Sequence, residues 1–480
     1  TMSGDLSTDI NPLEIGCVDE AASAEPHKLL SHLFPSKIGG KPAWLALDQL
    51  PGEAQLRCCI CSNRMTFLMQ VYCPIESSVS ATASDNADNN TDNDTFHRCL
   101  FFFMCSNGGC YGNVDKSSTP NAPVKVFRSQ LARKNPYYPF EPPNYEASWS
   151  EIVKLIDAKQ VFHPSSWQPL CALCGCPASG SEAVQCDDCS YKPGGLYCCK
   201  EHRDADATRR AEFCKLVDKQ QHKMDGELLL RLWTLQSDLN DEQQFLHSNG
   251  RPLPELGLLI GPDPGNGMAD DKIDMNRRFG DVPDDEVASD DANDSSSLSS
   301  ENVDDDVDAA MEVADDGERR RQQQQSSPTP MHSTNQAGDA ANIDAAAVAD
   351  SEANRSFNEF AAGIEQLAAK ETPALKQLAE FKRATRREPG QVFRYQRHGA
   401  PLLISDQSVA PAPACARCDA ARQFECQITP QLLNWLPLNE SPDSVGPDFG
   451  SVLVYTCSRS CPLAGELGNY AEEFVAIQYV

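Results

Sequence analysis

The chain has 480 residues, 21 of them cysteines, and a formal net charge of −29. This length predicts two to four domains. So negative a balance argues against duplex DNA or RNA as the main ligand, because phosphate binding needs clustered Lys and Arg. The first residues carry no secretory signal pattern, and the longest apolar stretch, residues 99–105, is too short to cross a bilayer. We therefore expect a reducing compartment, where paired cysteines bind metal rather than form disulfides.

A first zinc-stapled β unit is predicted over residues 28–145. Strand-like runs at 67–72, 100–104 and 124–128 flank two cysteine pairs. A Cys-x2-Cys pair and a Cys-x4-Cys pair, each beside a strand, are typical of a tetrahedral zinc site. The predicted ligands are Cys58, Cys61, Cys105 and Cys110. Four protein ligands close the coordination shell, so this metal would be structural rather than catalytic.

The densest cysteine cluster lies in residues 167–225 and predicts two interleaved zinc ions. Its pattern resembles a MYND finger, a small module with cross-braced sites. The resemblance implies a first site made by Cys171, Cys174, Cys198 and His202. It implies a second site made by Cys186, Cys189 and Cys214 with one further ligand. The MYND pattern has a histidine four residues before its last cysteine, but this chain has Arg210, so His222, Cys199 or no residue completes the second site.

A low-complexity segment, residues 263–354, follows the finger. Between Asp281 and Asp316 it has 15 acidic residues and no Lys or Arg. Too little apolar surface is present to offset the entropy of the chain, so we expect a disordered acidic linker. Beyond it, apolar residues at three- and four-residue spacing over 356–386 predict an amphipathic helix or helix pair, interrupted at Pro373.

The last predicted unit, 356–480 including that helix, repeats the first unit element by element. Its predicted zinc ligands are Cys415, Cys418, Cys457 and Cys461, again a Cys-x2-Cys pair and a second close pair beside a strand. Chance spacing rarely repeats with matching flanks. We therefore predict a β-rich α+β fold: two homologous zinc-stapled β domains packed together, with the finger and the acidic linker between them. Three to four structural zinc ions are expected.

Longer motifs resemble the programmed cell death protein 2 family, in its finger-bearing branch. They keep the family's order and lie at 34–45, 96–99, 126–135, 393–405, 430–434 and 470–474. The resemblance implies a dedicated chaperone for one newly made, basic small-subunit ribosomal protein, the eukaryotic relative of bacterial protein S-five, that supports 40S subunit production. It implies no enzymatic activity, and a cytoplasmic location with the nucleus as a further one.

Two other functions stay open from the sequence. One is a nuclear adaptor whose MYND-like finger binds proline-containing peptides of transcriptional regulators. The other is an enzyme, which we disfavour because the chain has no Gly-rich loop, nucleophile elbow or His-Glu-x-x-His motif. We expect a protein that is not an enzyme and that binds neither DNA nor membranes directly.

Overall fold

The computed structural model describes residues 11–75, 94–112, 123–186, 195–219, 225–234, 252–264, 372–437, 446–463 and 468–479. Nearly all of the acidic linker predicted at 263–354 lies outside these ranges, as do Cys189 and His222. Within these ranges, no helix combines the length and the apolar character that a membrane span requires.

The described residues contain twelve strands. They are β1 (Glu14–Asp19), β2 (Lys37–Ile38), β3 (Thr66–Tyr72), β4 (His97–Met104), β5 (Val124–Leu131), β6 (Val184–Gln185), β7 (Leu196–Tyr197), β8 (Leu256–Pro262), β9 (Phe393–Tyr395), β10 (Arg422–Ile428), β11 (Ser451–Cys457) and β12 (Ala471–Gln478). Ten of them form one closed antiparallel barrel in the order β1, β8, β2, β3, β4, β5, β12, β11, β10, β9, and β9 pairs back to β1. The other two, β6 and β7, form a small sheet within the finger.

Six helices accompany these strands in the described ranges. They are α1 (Glu20–Ser23), α2 (Trp149–Asp157), α3 (Lys200–Ala205), α4 (Ala207–Lys219), α5 (Gly226–Thr234) and α6 (Pro373–Thr385). Short 3-10 turns occupy Pro26–Leu29, Ser31–Leu33, Gly108–Cys110, Pro164–Ser166 and Pro430–Trp435. Pro373, where the predicted helix or helix pair is interrupted, is the first residue of α6, and its missing N–H is tolerated because the first helical turn has no intrahelical acceptor for it. Residues 356–371 of that prediction lie outside the described residues.

The prediction of two separate β domains packed against each other is wrong in its connectivity. Strand β5 of the first half pairs directly with β12 of the second half, with Ala471 opposite Arg128. On the other side, β1 and β8 pair with each other and connect the halves through β9 and β2. The two halves therefore share one continuous sheet, and each barrel strand has a hydrogen-bonded neighbour on both sides.

The two halves nevertheless have the same internal design. Strands β2 to β5 follow the same order around the ring as β9 to β12, and both β3 and β10 carry a bulge near their start. Gln70 on β3 binds the backbone N–H and C=O of Ala43. Gln427 on β10 makes the same pair of contacts with Leu402. These matched glutamines fix the same preceding loop against the barrel in each half.

Aromatic side chains join the two halves in the core. The Trp44 ring, fully buried in the first half, lies edge-on to Tyr470 of the second half with 5.3 Å between ring centroids. The Tyr470 hydroxyl donates to the Ala46 carbonyl at 2.7 Å. Phe127, also fully buried, stacks edge-on with Phe103. Contacts of this kind stabilise the closed barrel by burying apolar surface, and the hydroxyl of Tyr470 keeps a hydrogen-bond partner.

A fully buried ion pair also connects the halves. Arg98 on β4 binds the Glu425 carboxylate on β10 through both of its terminal nitrogens, one at 2.7 Å. Thr456 and Tyr395 donate further hydrogen bonds to this carboxylate, the latter at 3.0 Å. Burial alone would raise the pKa of Glu425, but Arg98, then Arg397 and the Thr456 hydroxyl, lower it to about 2.

A second buried ion pair repeats this arrangement near the β5–β12 junction. The Arg128 guanidinium donates to Glu473 at 2.7 Å, and Arg422 donates to the other oxygen of the same carboxylate at 3.0 Å. In both ion pairs the arginine that crosses between halves lies on the first half and the carboxylate on the second half. The contact between halves is therefore complementary in charge as well as in shape.

We predict that Glu425→Gln lowers the free energy of unfolding by about 3 to 5 kcal/mol at pH 7, because it leaves a buried guanidinium without its counter-ion. A depressed folded-state pKa contributes stability above the unfolded-state value, and this contribution is lost as pH falls. The difference between wild type and variant should therefore shrink between about pH 4.5 and about pH 2. Denaturant unfolding of both proteins across this range measures it, and a difference that does not change with pH would contradict the assignment.

Candidate metal centres

Three groups of four side chains come together as candidate metal centres in the described residues. Within each group, one potential ligand atom from every residue lies within 4.8 Å of the others. They are the N-terminal quartet Cys58, Cys61, Cys105 and Cys110, the finger quartet Cys171, Cys174, Cys198 and His202, and the C-terminal quartet Cys415, Cys418, Cys457 and Cys461. These twelve residues are the predicted ones: the spacing of the cysteines grouped the two barrel quartets, and the resemblance to a MYND finger implied the third.

Each Cys-x2-Cys pair forms the same backbone turn. In the N-terminal quartet, Ser62 has φ of 62° and donates its N–H to the Cys58 carbonyl at 3.0 Å. Gly175 and Asp419, the residues at the same place in the other two pairs, have φ of 70° and 57° and donate to the first cysteine in the same way. This shared turn directs both thiols of a pair to one point.

Strand ends supply the second half of each barrel quartet. Strand β4 ends one residue before Cys105, and the 3-10 turn Gly108–Cys110 returns the chain so that Cys110 faces the first pair. Strand β11 ends at Cys457, and a turn closed by the Ser460 N–H returns Cys461 in the same manner. In each barrel quartet, the strand end and the turn that follows it therefore fix two thiols. The Cys-x2-Cys turn fixes the other two.

The distances within the quartets fit a single tetrahedral ion. Ligand sulfurs about 2.3 Å from a central zinc at tetrahedral corners lie about 3.8 Å from one another. The measured separations are 3.8 Å from Cys105 to Cys110, 3.8 Å from Cys415 to Cys461 and 3.9 Å from Cys174 to Cys198. Cysteine and histidine donors in this geometry favour zinc.

In the N-terminal and finger quartets, neighbouring thiols shift one another's pKa in opposite directions. A hydrogen bond from Cys105 lowers the pKa of Cys58 to about 5, whereas burial, and then a hydrogen bond to Cys61, raises the pKa of Cys110 to about 12. Although burial opposes it, hydrogen bonds from neighbouring thiols and from His202 lower the pKa of Cys171. Crowded thiols therefore share one negative charge, and a divalent ion would allow all of them to ionise.

The second finger site stays a prediction. Cys186 is buried and Cys214 is half-buried, but Cys189 and His222 lie outside the described residues. Cys199 is buried next to the finger quartet, and a hydrogen bond from Cys198 lowers its pKa to about 7. These described members do not form a further quartet among themselves. Arg210, at the position of the expected histidine, donates to the Arg203 carbonyl at 2.9 Å and so connects α4 to α3.

The finger is fixed to the first half of the barrel through its own cysteine turn. The Trp44 indole N–H donates to the Gly175 carbonyl at 2.8 Å, directly after Cys174. Arg64 donates to the Cys198 carbonyl at 3.2 Å and to Glu182 at 2.7 Å. Sequence spacing does not predict this contact, because it joins segments about 130 residues apart. The local signal is Gly175 directly after Cys174, because a residue without Cβ allows the close approach: a Cβ there would lie 2.8 Å from the Lys41 Cβ.

A closed barrel with a cysteine quartet in each half and an inserted cysteine–histidine finger defines the class of this protein. The profile of the programmed cell death protein 2 N-terminal domain matches residues 12–145, and that of its C-terminal putative domain matches residues 376–479. The chain belongs to the programmed cell death protein 2 family, as its motifs predicted. No solved structure matches it.

Similarity to individual relatives extends over nearly the whole chain. Programmed cell death protein 2 from Mus musculus is 28% identical over 470 residues, which cover 97% of this chain and 95% of that protein. The Bos taurus protein is 28% identical over 476 residues, covering 98% and 97%. A shorter match, 32% identical over 106 residues, covers 19% of this chain and 25% of the probable 20S rRNA accumulation protein 4 of Schizosaccharomyces pombe.

We predict that Cys105→Ser removes about one zinc ion per chain and destabilises the barrel, because structural zinc contributes on the order of 10 kcal/mol to folding. Cys59→Ser is the matched control, since Cys59 is exposed, adjacent to Cys58 in sequence and outside the quartet. Elemental analysis and thermal unfolding of both variants provide the measurement. Equal metal content in the two variants would exclude the N-terminal quartet as a zinc site. Wild type should hold three ions, or four if the second finger site binds metal.

Proposed function

We propose that this protein is a dedicated chaperone for a newly made, basic small-subunit ribosomal protein and thereby supports 40S subunit production. The observation that carries the proposal is family membership combined with one relative's name, which links that relative to 20S rRNA accumulation. The family resemblance supplies the client class. The proposed role is binding without catalysis, in the cytoplasm and in the nucleus.

The charge of the chain supports a basic client. The formal net charge is −29, and residues 281–316 alone contribute 15 acidic side chains without a compensating Lys or Arg. Such an excess attracts a positively charged protein over a distance of about 8 Å at physiological salt and raises its association rate.

The closed barrel limits how a client can be bound. Strand addition requires an exposed sheet edge, and each barrel strand already has two partners. The continuous ring leaves no cleft between two packed sheets. Trp44 and Phe127, two aromatic residues that could have lined such a cleft, are fully buried. We therefore infer that the client contacts the outer surface and the acidic segments rather than a groove between the halves.

The test is a binding titration of the full-length protein with the small-subunit ribosomal protein that is the relative of bacterial S-five. A large-subunit ribosomal protein of equal net charge is the matched control partner. We expect tight binding to the first protein only, weakening as salt rises because part of the attraction is electrostatic. Equal affinity for both partners would mean that net charge alone accounts for the binding. Absence of binding at low salt would exclude the chaperone role.

A finger-based adaptor is the second candidate, because the finger quartet assembles and its turn is fixed to the barrel. This adaptor would bind proline-containing peptides of transcriptional regulators. Cys171→Ala, which removes one finger ligand, distinguishes the two roles. We expect the ribosomal client to remain bound at unchanged affinity while the metal content falls. Loss of all partner binding, with both barrel quartets still loaded, would favour the adaptor.

A further inference from the structure

A cavity of about 120 Å³ lies where the finger, the barrel and α5 meet. Its walls are mainly apolar, and they come from segments far apart in sequence. The apolar side chains that line it include Leu29, Val161, Phe162, Leu170, Trp233 and Leu253. Cys171 of the finger quartet borders the cavity, but the other three members of that quartet do not. The cavity is therefore a place distinct from the metal centre, able to accept an apolar group.

Three cationic side chains line this cavity, and two of them have ion-pair partners. Lys37 pairs with Glu255, and both side chains are almost fully buried. Arg209 pairs with the buried Asp206, with one nitrogen–oxygen distance of 2.5 Å. Lys41 also lines the cavity, is half-buried, and makes no hydrogen bond or ion pair with any described residue. Among these three cations, Lys41 is the one without a direct partner in the described residues, and the carboxylate of a ligand could accept a hydrogen bond from it.

A histidine contributes a second unsatisfied polar group. His32 lines the cavity and is 9% exposed, and its Nε2 atom is buried without a hydrogen-bond partner in the described structure. Buried polar atoms are nearly always paired, so an orphaned nitrogen on a ring that lines the cavity indicates a missing partner. A carboxylate has two oxygens, and it could accept from the Lys41 ammonium and from this ring nitrogen together.

We propose that this cavity binds the C-terminal carboxylate of a partner peptide whose last residue is apolar. The carboxylate neutralises Lys41 and satisfies His32, and the apolar side chain fills the apolar part of the cavity. Phe162 both lines the cavity and is 42% exposed, so it lies at the mouth, where preceding peptide residues would cover it. A small free acid would leave that ring exposed, which favours a peptide.

The test uses a fluorescein-labelled pentapeptide ending in leucine, made with either a free C-terminal carboxylate or a C-terminal amide. Fluorescence anisotropy with the zinc-loaded full chain should give a roughly tenfold or larger preference for the free carboxylate, the size of one charge-assisted hydrogen bond. Lys41→Met should abolish this preference. Lys376→Met, which removes an exposed lysine on α6 away from the cavity, should retain it.

Three results would overturn the proposal. The first is equal binding, or no binding, of the two peptides to wild type, which does not depend on whether any variant folds. The second is a preference that survives Lys41→Met in protein whose metal content and unfolding temperature match wild type. The third is displacement of the peptide by isovalerate at an equal concentration, which would assign the cavity to a small acid. None of these results bears on ribosomal-client binding, which is measured separately.

Discussion

The structure depends on the recognition of one half of the chain by the other, and this recognition is centred on buried charges. Arg98 and Arg128 come from the first half, and Glu425 and Glu473 from the second half. Two similar halves could in principle pair with copies of themselves. Such pairing would bury two arginines or two carboxylates against each other, at a cost of several kcal/mol. Charge complementarity therefore favours the closed ring within one chain over exchange between chains.

The candidate metal centres at the strand ends complete this arrangement. Each barrel quartet joins a Cys-x2-Cys turn to the end of a central strand, β4 or β11. The quartet thereby connects a loop to the sheet that the buried ion pairs stabilise. The Arg128 guanidinium also donates to the Cys461 carbonyl at 3.1 Å, so the second ion pair is coupled to the C-terminal quartet. Loss of metal at that quartet is therefore expected to weaken the contact between halves, and not only a local loop.

The sequence predicted the cysteine quartets and the repeat, but it did not predict the closure of the barrel. The quartets depend on short spacings and on strands that are locally apolar, such as β4, all eight residues of which are buried. Closure depends on β1 and β8, single strands about 240 residues apart with no partner close in sequence, and on the three-residue β9. Residues Glu14–Asp19 lie before the first predicted unit, 28–145, because their pairing partners are distant in sequence. Long-range pairing of isolated strands leaves no local periodicity to detect.

The repeat also shows how one half acquired a surface that the other lacks. The matched contacts of Gln70 and Gln427 place Trp44 at the position of Leu403. Trp44 is buried and binds the finger through Gly175, whereas Leu403 is only half-buried. The indole N–H of Trp44 therefore contributes, together with Arg64, to the docking of the finger on the first half. Because the finger and α5 together form the walls of the Lys41 cavity, that cavity has no counterpart made by a finger on the second half. The binding surfaces of this protein are therefore asymmetric, although the barrel that supports them is built from two similar halves.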